Sequence, residues 1–387
     1  RRRHGGGRSV RGVPVSSLAL NDEQRALRET VADFLAGHGN ARKEADSDAG
    51  LWRSIAELGW AAVQVPEEFG GLGLGAVELA LLMEEMGRSL ARTPFFATVV
   101  LAQGALLHAA GEAARQRCLP ALAEGTRSAT LILGPGLDAR AGSLTLHARR
   151  DGEGWRLEGE SAQVLDGSSA ELAYVAARVE GGDGVALFEV PADAAGLQRT
   201  ALEVWDLTRP QAHWRFAGVS LDAAARLDVP GSAAAGLARA QALAMLQLAA
   251  EQVGGAAQCL ALTTAYTAER VQFGRAVASF QAVKHRCAEM MVRIETARSV
   301  VRGVAARVAA ASLDDAALAA EAAAARVLAT EAYRYCAQEA IQLHGGVGFT
   351  WEYDPQMHFK RAQWASQWLG TPRLLREALA AQLLDAA

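Results

Sequence analysis

Cysteine is sparse in this chain and scattered where it occurs: Cys118, Cys259, Cys287 and Cys336 form neither a Cys-x-x-Cys pair nor a Cys/His ligand spacing. That pattern argues against a disulfide framework and against a zinc or other metal site, and it suits a reducing compartment. Lysine is scarcer still, confined to Lys43, Lys284 and Lys360, and Lys plus Arg (39) do not exceed Asp plus Glu (43). A net charge of −4 leaves no basic surplus to neutralise a nucleic-acid backbone, so nucleic acid is not an expected partner. No apolar run approaches the roughly 20 residues needed to cross a bilayer, because Arg, Glu and Gln interrupt even the Ala-rich stretches. A soluble, cytoplasmic protein without a membrane partner is expected, and the Arg- and Ala-rich, Lys-poor composition suits a GC-rich bacterial gene. The opening RRRHGGGRSVR has neither the apolar core of a secretory signal nor a regular amphipathic pattern, and residues 1–16 are expected to form a disordered tail. One further absence is local: no carboxylate lies between Asp354 and Glu377.

What is present falls into three textures, which together predict a mainly α protein with a central β domain. Residues 17–128 read as an N-terminal α-helical domain. Asn21 stands ready to cap a helix with acids in its first turn and apolar residues at Leu27, Val31 and Phe34. Residues 129–228 read as a middle antiparallel β domain of short apolar runs separated by Gly and Asp turns, with RRDGEGWRL as a hairpin candidate. Residues 229–387 read as a C-terminal four-helix bundle. Three long helical patterns follow one another there, the third opened by Ser312 with Asp315 as a weak capping box, and Thr371-Pro372 begins a last helix. The small residues on these helices suit close packing and an oligomer.

Two stretches carry the chemistry: RVQFGRAVASFQAVKHRCAEMM at 270–291 and QLHGGVGFTWEYDP at 342–355. A guanidinium offers paired donors to phosphate oxygens, and a Gly pair lets backbone N–H groups approach an anion without Cβ interference. In a chain ordered helical, β, helical, the two motifs together resemble the acyl-CoA dehydrogenase family. The resemblance implies FAD between the β domain and the bundle, with part of the dinucleotide reaching a neighbouring subunit. It places Arg270, Gln272, Phe273 and Gln281 on the adenosine and pyrophosphate, and Gln342, Gly345 and Gly346 on the matching dinucleotide contacts. Plainer roles exist for each: a helix C-cap for the glycines, a helix-end charge for Arg270, core for Phe273 and Phe280. For His285 and His344 a structural role is the better reading.

The family reaction removes the proton α to a thioester carbonyl while the β hydrogen leaves as hydride to the flavin, and a carboxylate base adds about 10²–10⁴-fold. Most members carry that Glu before a Gly-Thr pair; here Gly370-Thr371 is preceded by Leu369. Others place it on the first long bundle helix, near Ala244 in this chain, where no acid stands. Glu251 is a possible relocated base, and a structural charge pair is the plainer reading of it. The flavin-facing positions also depart from the family, with Leu133-Gly134-Pro135 on one segment and Gln163 and Leu165 on another. The catalytic residue therefore stays unassigned. The resemblance implies acyl-CoA or a related thioester as substrate, FAD as cofactor and an electron-transfer flavoprotein as acceptor. It favours a subunit without its own base, paired with another chain of the same family. A self-sufficient homo-oligomer, a flavin-dependent monooxygenase of the same fold and a cofactor-free assembly protein remain open.

Overall fold

The computed structural model describes residues 19–38, 49–182 and 184–385. The expected tail at 1–16 lies outside the described residues. The first helix, α1 (Asp22–His38), starts where its cap predicts: the Gln24 N–H donates to Asn21 Oδ1 at 2.8 Å, and the Asn21 N–H donates to Gln24 Oε1 at 3.1 Å. Val31 and Leu35 turn inward to meet Ile55 of α2 (Ala49–Glu57) in the same core. A Gly-rich loop leads into α3 (Ala76–Ser89), then a π-helical stretch Phe96–Gln103, α4 (Gly104–Ala109) and α5 (Glu112–Ala123).

The central sheet contains β1 (Ala129–Ile132), β2 (Leu146–Asp151), β3 (Gly154–Leu165), β4 (Leu172–Val179), β5 (Val185–Pro191), β6 (Leu197–Ala201) and β7 (Gln211–Leu221). Its order is β1-β4-β2-β3-β7-β6, with β5 on β4. The hairpin at 149–157 is present, Asp151 facing Gly154 across a turn in which Gly152 takes φ +61°. The antiparallel expectation needs correction, because the sheet is mixed: β4 runs parallel to both β1 and β2. The residues of β1 and the first six of β4 are all buried, a continuous pattern that goes with strands covered on both faces.

The C-terminal helices are α6 (Ala233–Glu269), α7 (Gln281–Ala309), α8 (Asp315–His344), α9 (Pro355–Ala365) and α10 (Pro372–Asp385), with a two-stranded ribbon, β8 (Val271–Gln272) and β9 (Arg275–Ala276), after α6. The cap of α8 is Asp314, which accepts the Ala317 N–H at 2.8 Å, whereas the expected Ser312 instead donates to the Arg307 carbonyl at 3.0 Å. Close packing depends on glycine at helix crossings. A Cβ on Gly87 of α3 would lie 1.9 Å from the Glu251 carbonyl oxygen, and one on Gly254 of α6 would lie 1.7 Å from that of Glu84. Any larger residue would force α3 and α6 apart. Among the described residues, no helix is long and apolar enough to cross a membrane.

Candidate functional site

Two cavities flank α6. The first, about 830 Å³, lies where α6 and α8 end, within the 300–1,000 Å³ of small-molecule sites. Arg270, which caps α6, and Gln272 of β8 form one side; Gln342, Gly345 and Gly346 form another. Five of the seven residues named from the sequence therefore line one cleft. Gly345 has φ +65° and ψ −146°, a conformation that glycine reaches without strain, and a Cβ on Gly346 would meet no atom within 4 Å. Phe273 is not core, as its plainer reading had it: it sits at φ +54° on the β8–β9 turn, 92% exposed and clear of the cleft. Gln281 opens α7 and lies off the cleft wall.

Sequence reading missed Tyr266 and Tyr353, which also line this cleft. Tyr266 precedes Arg270 by four positions, so the i, i+4 neighbour relation of a helix face could have found it. Tyr353 had no such signal. His285 is exposed on α7, while His344 is buried and bonded to the Ala340 carbonyl oxygen at 2.6 Å.

The second cavity, about 640 Å³, lies at the other end of α6. Pro135 and Gly136 face Gln241 and Met245 of α6, Ala319 and Ala323 of α8, the turn Leu369–Thr371 and the apolar face of α10. Leu369 is 1% exposed at φ +56°, and its N–H donates to the Gly136 carbonyl oxygen at 2.7 Å. A left-handed non-glycine residue costs about 1–2 kcal/mol, so the surroundings must impose this turn. Arg326 helps to impose it. Fully buried, it donates to the carbonyl oxygens of Ala365 and Trp368 and, at 2.5 Å, to Gln252 Oε1. Burial draws its pKa down to about 9.

Two carboxylates line this second cavity among the described residues, Asp138 and Glu377. Burial acts to raise the Asp138 pKa, but hydrogen bonds from Arg140 and Ser143 outweigh it and hold the group below its ordinary value. The Arg140 Nε–H lies 2.9 Å from each Asp138 oxygen and the Ser143 hydroxyl 2.6 Å from one, so the carboxylate is committed. Glu377 is exposed and paired with Arg373 at 2.9 Å. Ala244 is buried, with no acid at its position. Of the flavin-facing candidates, Gln163 is exposed, and Leu165 is buried with its carbonyl oxygen accepting the Thr130 hydroxyl at 2.7 Å.

Glu251 has a structural role. It is 1% exposed, one oxygen accepting from Arg209 and the other from Arg361 at 2.7 Å. Arg361 also donates to Asp206 at 2.8 Å and to the Thr208 carbonyl oxygen at 2.9 Å, which ties the β6–β7 loop to α6 and α9. Burial would lower the Arg361 pKa, but Asp206 and Glu251 hold it above the ordinary arginine value. With both oxygens accepting from guanidinium groups, Glu251 is poorly placed to take a substrate proton.

Comparison with known proteins adds context. Family models for the acyl-CoA dehydrogenase N-terminal and C-terminal domains match residues 21–126 and 240–384. Acyl-CoA dehydrogenase IpdE2 of Mycolicibacterium smegmatis is 35% identical over 367 residues, covering 92% of this chain and 96% of its own. The crystal structure of the ChsE4-ChsE5 complex from Mycobacterium tuberculosis superimposes with a TM-score of 0.84 at 27% identity, over 95% of this chain and 98% of that one. A glutaryl-CoA dehydrogenase from Mycobacterium smegmatis in complex with FADH2 shares the fold, with a TM-score of 0.85 at 22% identity over 96% of each chain.

Proposed function

This chain belongs to the acyl-CoA dehydrogenase family, and from that premise we propose that it serves FAD-dependent α,β-desaturation of an acyl thioester as a subunit without its own base, inside a complex with a related chain. The observation that carries the reading is Leu369: an aliphatic side chain at the cavity turn, with each carboxylate around it already paired. An aliphatic side chain cannot accept the α proton.

The donor set of the first cleft fits the adenosine and pyrophosphate half of FAD. Arg270 supplies a guanidinium, Gln272 and Gln342 supply amides, and Gly345–Gly346 present backbone without a side chain in the way. When bound, FAD supplies a hydride acceptor for the substrate's β carbon. The second cavity, apolar along α8 and α10, suits the acyl part of a thioester.

The two cavities open at separate stretches of α6. From Met245 to Leu262, the lining residues of α6 at which the two cavities come nearest, is 17 residues of unbroken helix, about 26 Å at 1.5 Å per residue. In this reading the adenosine cleft of this chain serves a flavin whose ring lies at another subunit's cavity. The relatedness to the ChsE4-ChsE5 complex, whose printed description contains two different chains, is in keeping with a heteromer. An electron-transfer flavoprotein is the proposed acceptor of the electrons.

The test is expression of the chain alone and together with a neighbouring family chain, followed by flavin quantitation and anaerobic mixing with acyl-CoA. A colourless chain that becomes yellow and thioester-reducible only with its partner is expected. A chain that purifies yellow by itself and is bleached by acyl-CoA would overturn the reading.

A further inference from the structure

The first cleft contains an aromatic stack outside the residues matched to the cofactor. The His344 ring lies against Tyr266 with centroids 4.4 Å apart and planes 17° apart, and Tyr353 stands edge-on to the two rings at 6.1 and 5.9 Å. The stack ties the ends of α6 and α8 to the loop beyond Gly345–Gly346, so the ring of His344 is held in one orientation.

That orientation decides its tautomer. A carbonyl oxygen only accepts, so the short contact to Ala340 places the proton on Nδ1. In a neutral imidazole the other nitrogen is then a bare acceptor. Burial lowers the His344 pKa from its ordinary value, against the opposing effect of the Ala340 bond, and this favours the neutral ring. Among the described residues Nε2 has no hydrogen-bond partner, yet it is not one of the polar atoms sealed from the exterior, and His344 lines the cleft. An occupant that left this acceptor without a donor would forfeit a hydrogen bond.

We propose that His344 Nε2 accepts a hydrogen bond from the adenosine half of the bound dinucleotide, given by the 6-amino group or a ribose hydroxyl, and so selects that half over nucleotides lacking the donor. The proposal rests on the reading that this cleft takes FAD. Tyr266 and Tyr353 are positioning residues in this scheme; His344 is the one that discriminates.

Calorimetric titration of the flavin-stripped full chain, with any partner chain that co-purifies, provides the test. The probes are ADP, purine riboside diphosphate, 2′-deoxy-ADP and 3′-deoxy-ADP. The unsubstituted chain is expected to bind ADP about tenfold more tightly than the one analogue that lacks the bonded donor. His344→Phe keeps an aromatic ring on Tyr266 but removes the acceptor; it is expected to lose about tenfold for ADP and to stop discriminating. His344→Phe that binds ADP normally, or that keeps the same preference, overturns the proposal. Should that variant fail to fold, the unsubstituted chain decides alone, because equal affinity for all four probes also overturns it. Failure of the unsubstituted chain to bind ADP at all would overturn the cofactor reading beneath the proposal, an outcome distinct from unselective binding.

Discussion

The two ends of α6 hold cavities of comparable volume with contrasting chemistry. At its C-terminal end the cleft is lined by a guanidinium, two amides, glycine backbone and an aromatic stack. At Gln241–Met245 four alanines, four leucines and Met245 stand beside Arg140, three glutamines and two carboxylates that are already paired, without an aromatic ring. Both cavities are built by the same helices, α6 and α8, so the difference lies in side chains and not in architecture. If the proposed reading holds, the fold keeps a nucleotide grip while the groups for proton removal are gone, because the two cavities lie about 26 Å apart along one helix and can change independently.

The largest expected effect comes from reversing the contrast. Leu369→Glu places a carboxylate on a turn already held by Gly136 and Arg326. In the assembled complex it should speed thioester-dependent bleaching of the flavin at this chain's cavity by about 10²-fold or more, read by anaerobic stopped flow. No gain would mean that more than the base has been lost.

The next effect separates structure from chemistry at Glu251. Glu251→Ala leaves Arg209 and Arg361 buried with less compensation and should cost about 3–5 kcal/mol in a urea unfolding experiment. A variant that unfolds like the parent but loses turnover would restore Glu251 as a base.

At the polar end, Arg270→Ala should weaken FAD retention about 10–100-fold, measured by equilibrium dialysis of the complex. Normal FAD content would remove Arg270 from the cofactor site.

The last effect concerns the interior between the cavities. Asp166 is buried at the end of β3, and burial raises its pKa to about 7 against the opposing pull of Arg209, Arg361 and Arg92. A carboxyl whose folded-state pKa lies above its unfolded value of 3.8 holds its proton better when folded. Its contribution to stability is therefore fullest below pH 4 and is lost as pH rises to about 7. Asp166→Asn should remove that dependence, so that its stability relative to the parent rises between pH 4 and pH 8. Parallel pH profiles of the two proteins would contradict the assignment.

Much of this was legible before any coordinates. The capping pair Asn21 and Gln24, the hairpin at Gly152 and the three long helices follow from local patterns, and the structure contains all of them. Arg270 and Gln272, and likewise Gln342, Gly345 and Gly346, belong to contiguous motifs, so naming them needed no knowledge of packing. Other features were hidden. The parallel pairing of β4 with β1 and β2 joins segments with no local signal of direction, and the Asp314 cap competed with a plausible Ser312. Tyr353 entered the cleft only because the chain folds back after Gly346.

Sequence alone determined the order of helical and β segments, five of the side chains and glycines that line the first cleft and the aliphatic residue at position 369, since each is a matter of composition within a few turns of chain. Tertiary structure decided that Glu251 is held between two arginines from distant segments, and that α6 and α8 enclose a cavity near each of their ends. The reason is physical: a side chain's protonation and reach depend on which remote groups surround it, and those neighbours are fixed only when the helices pack.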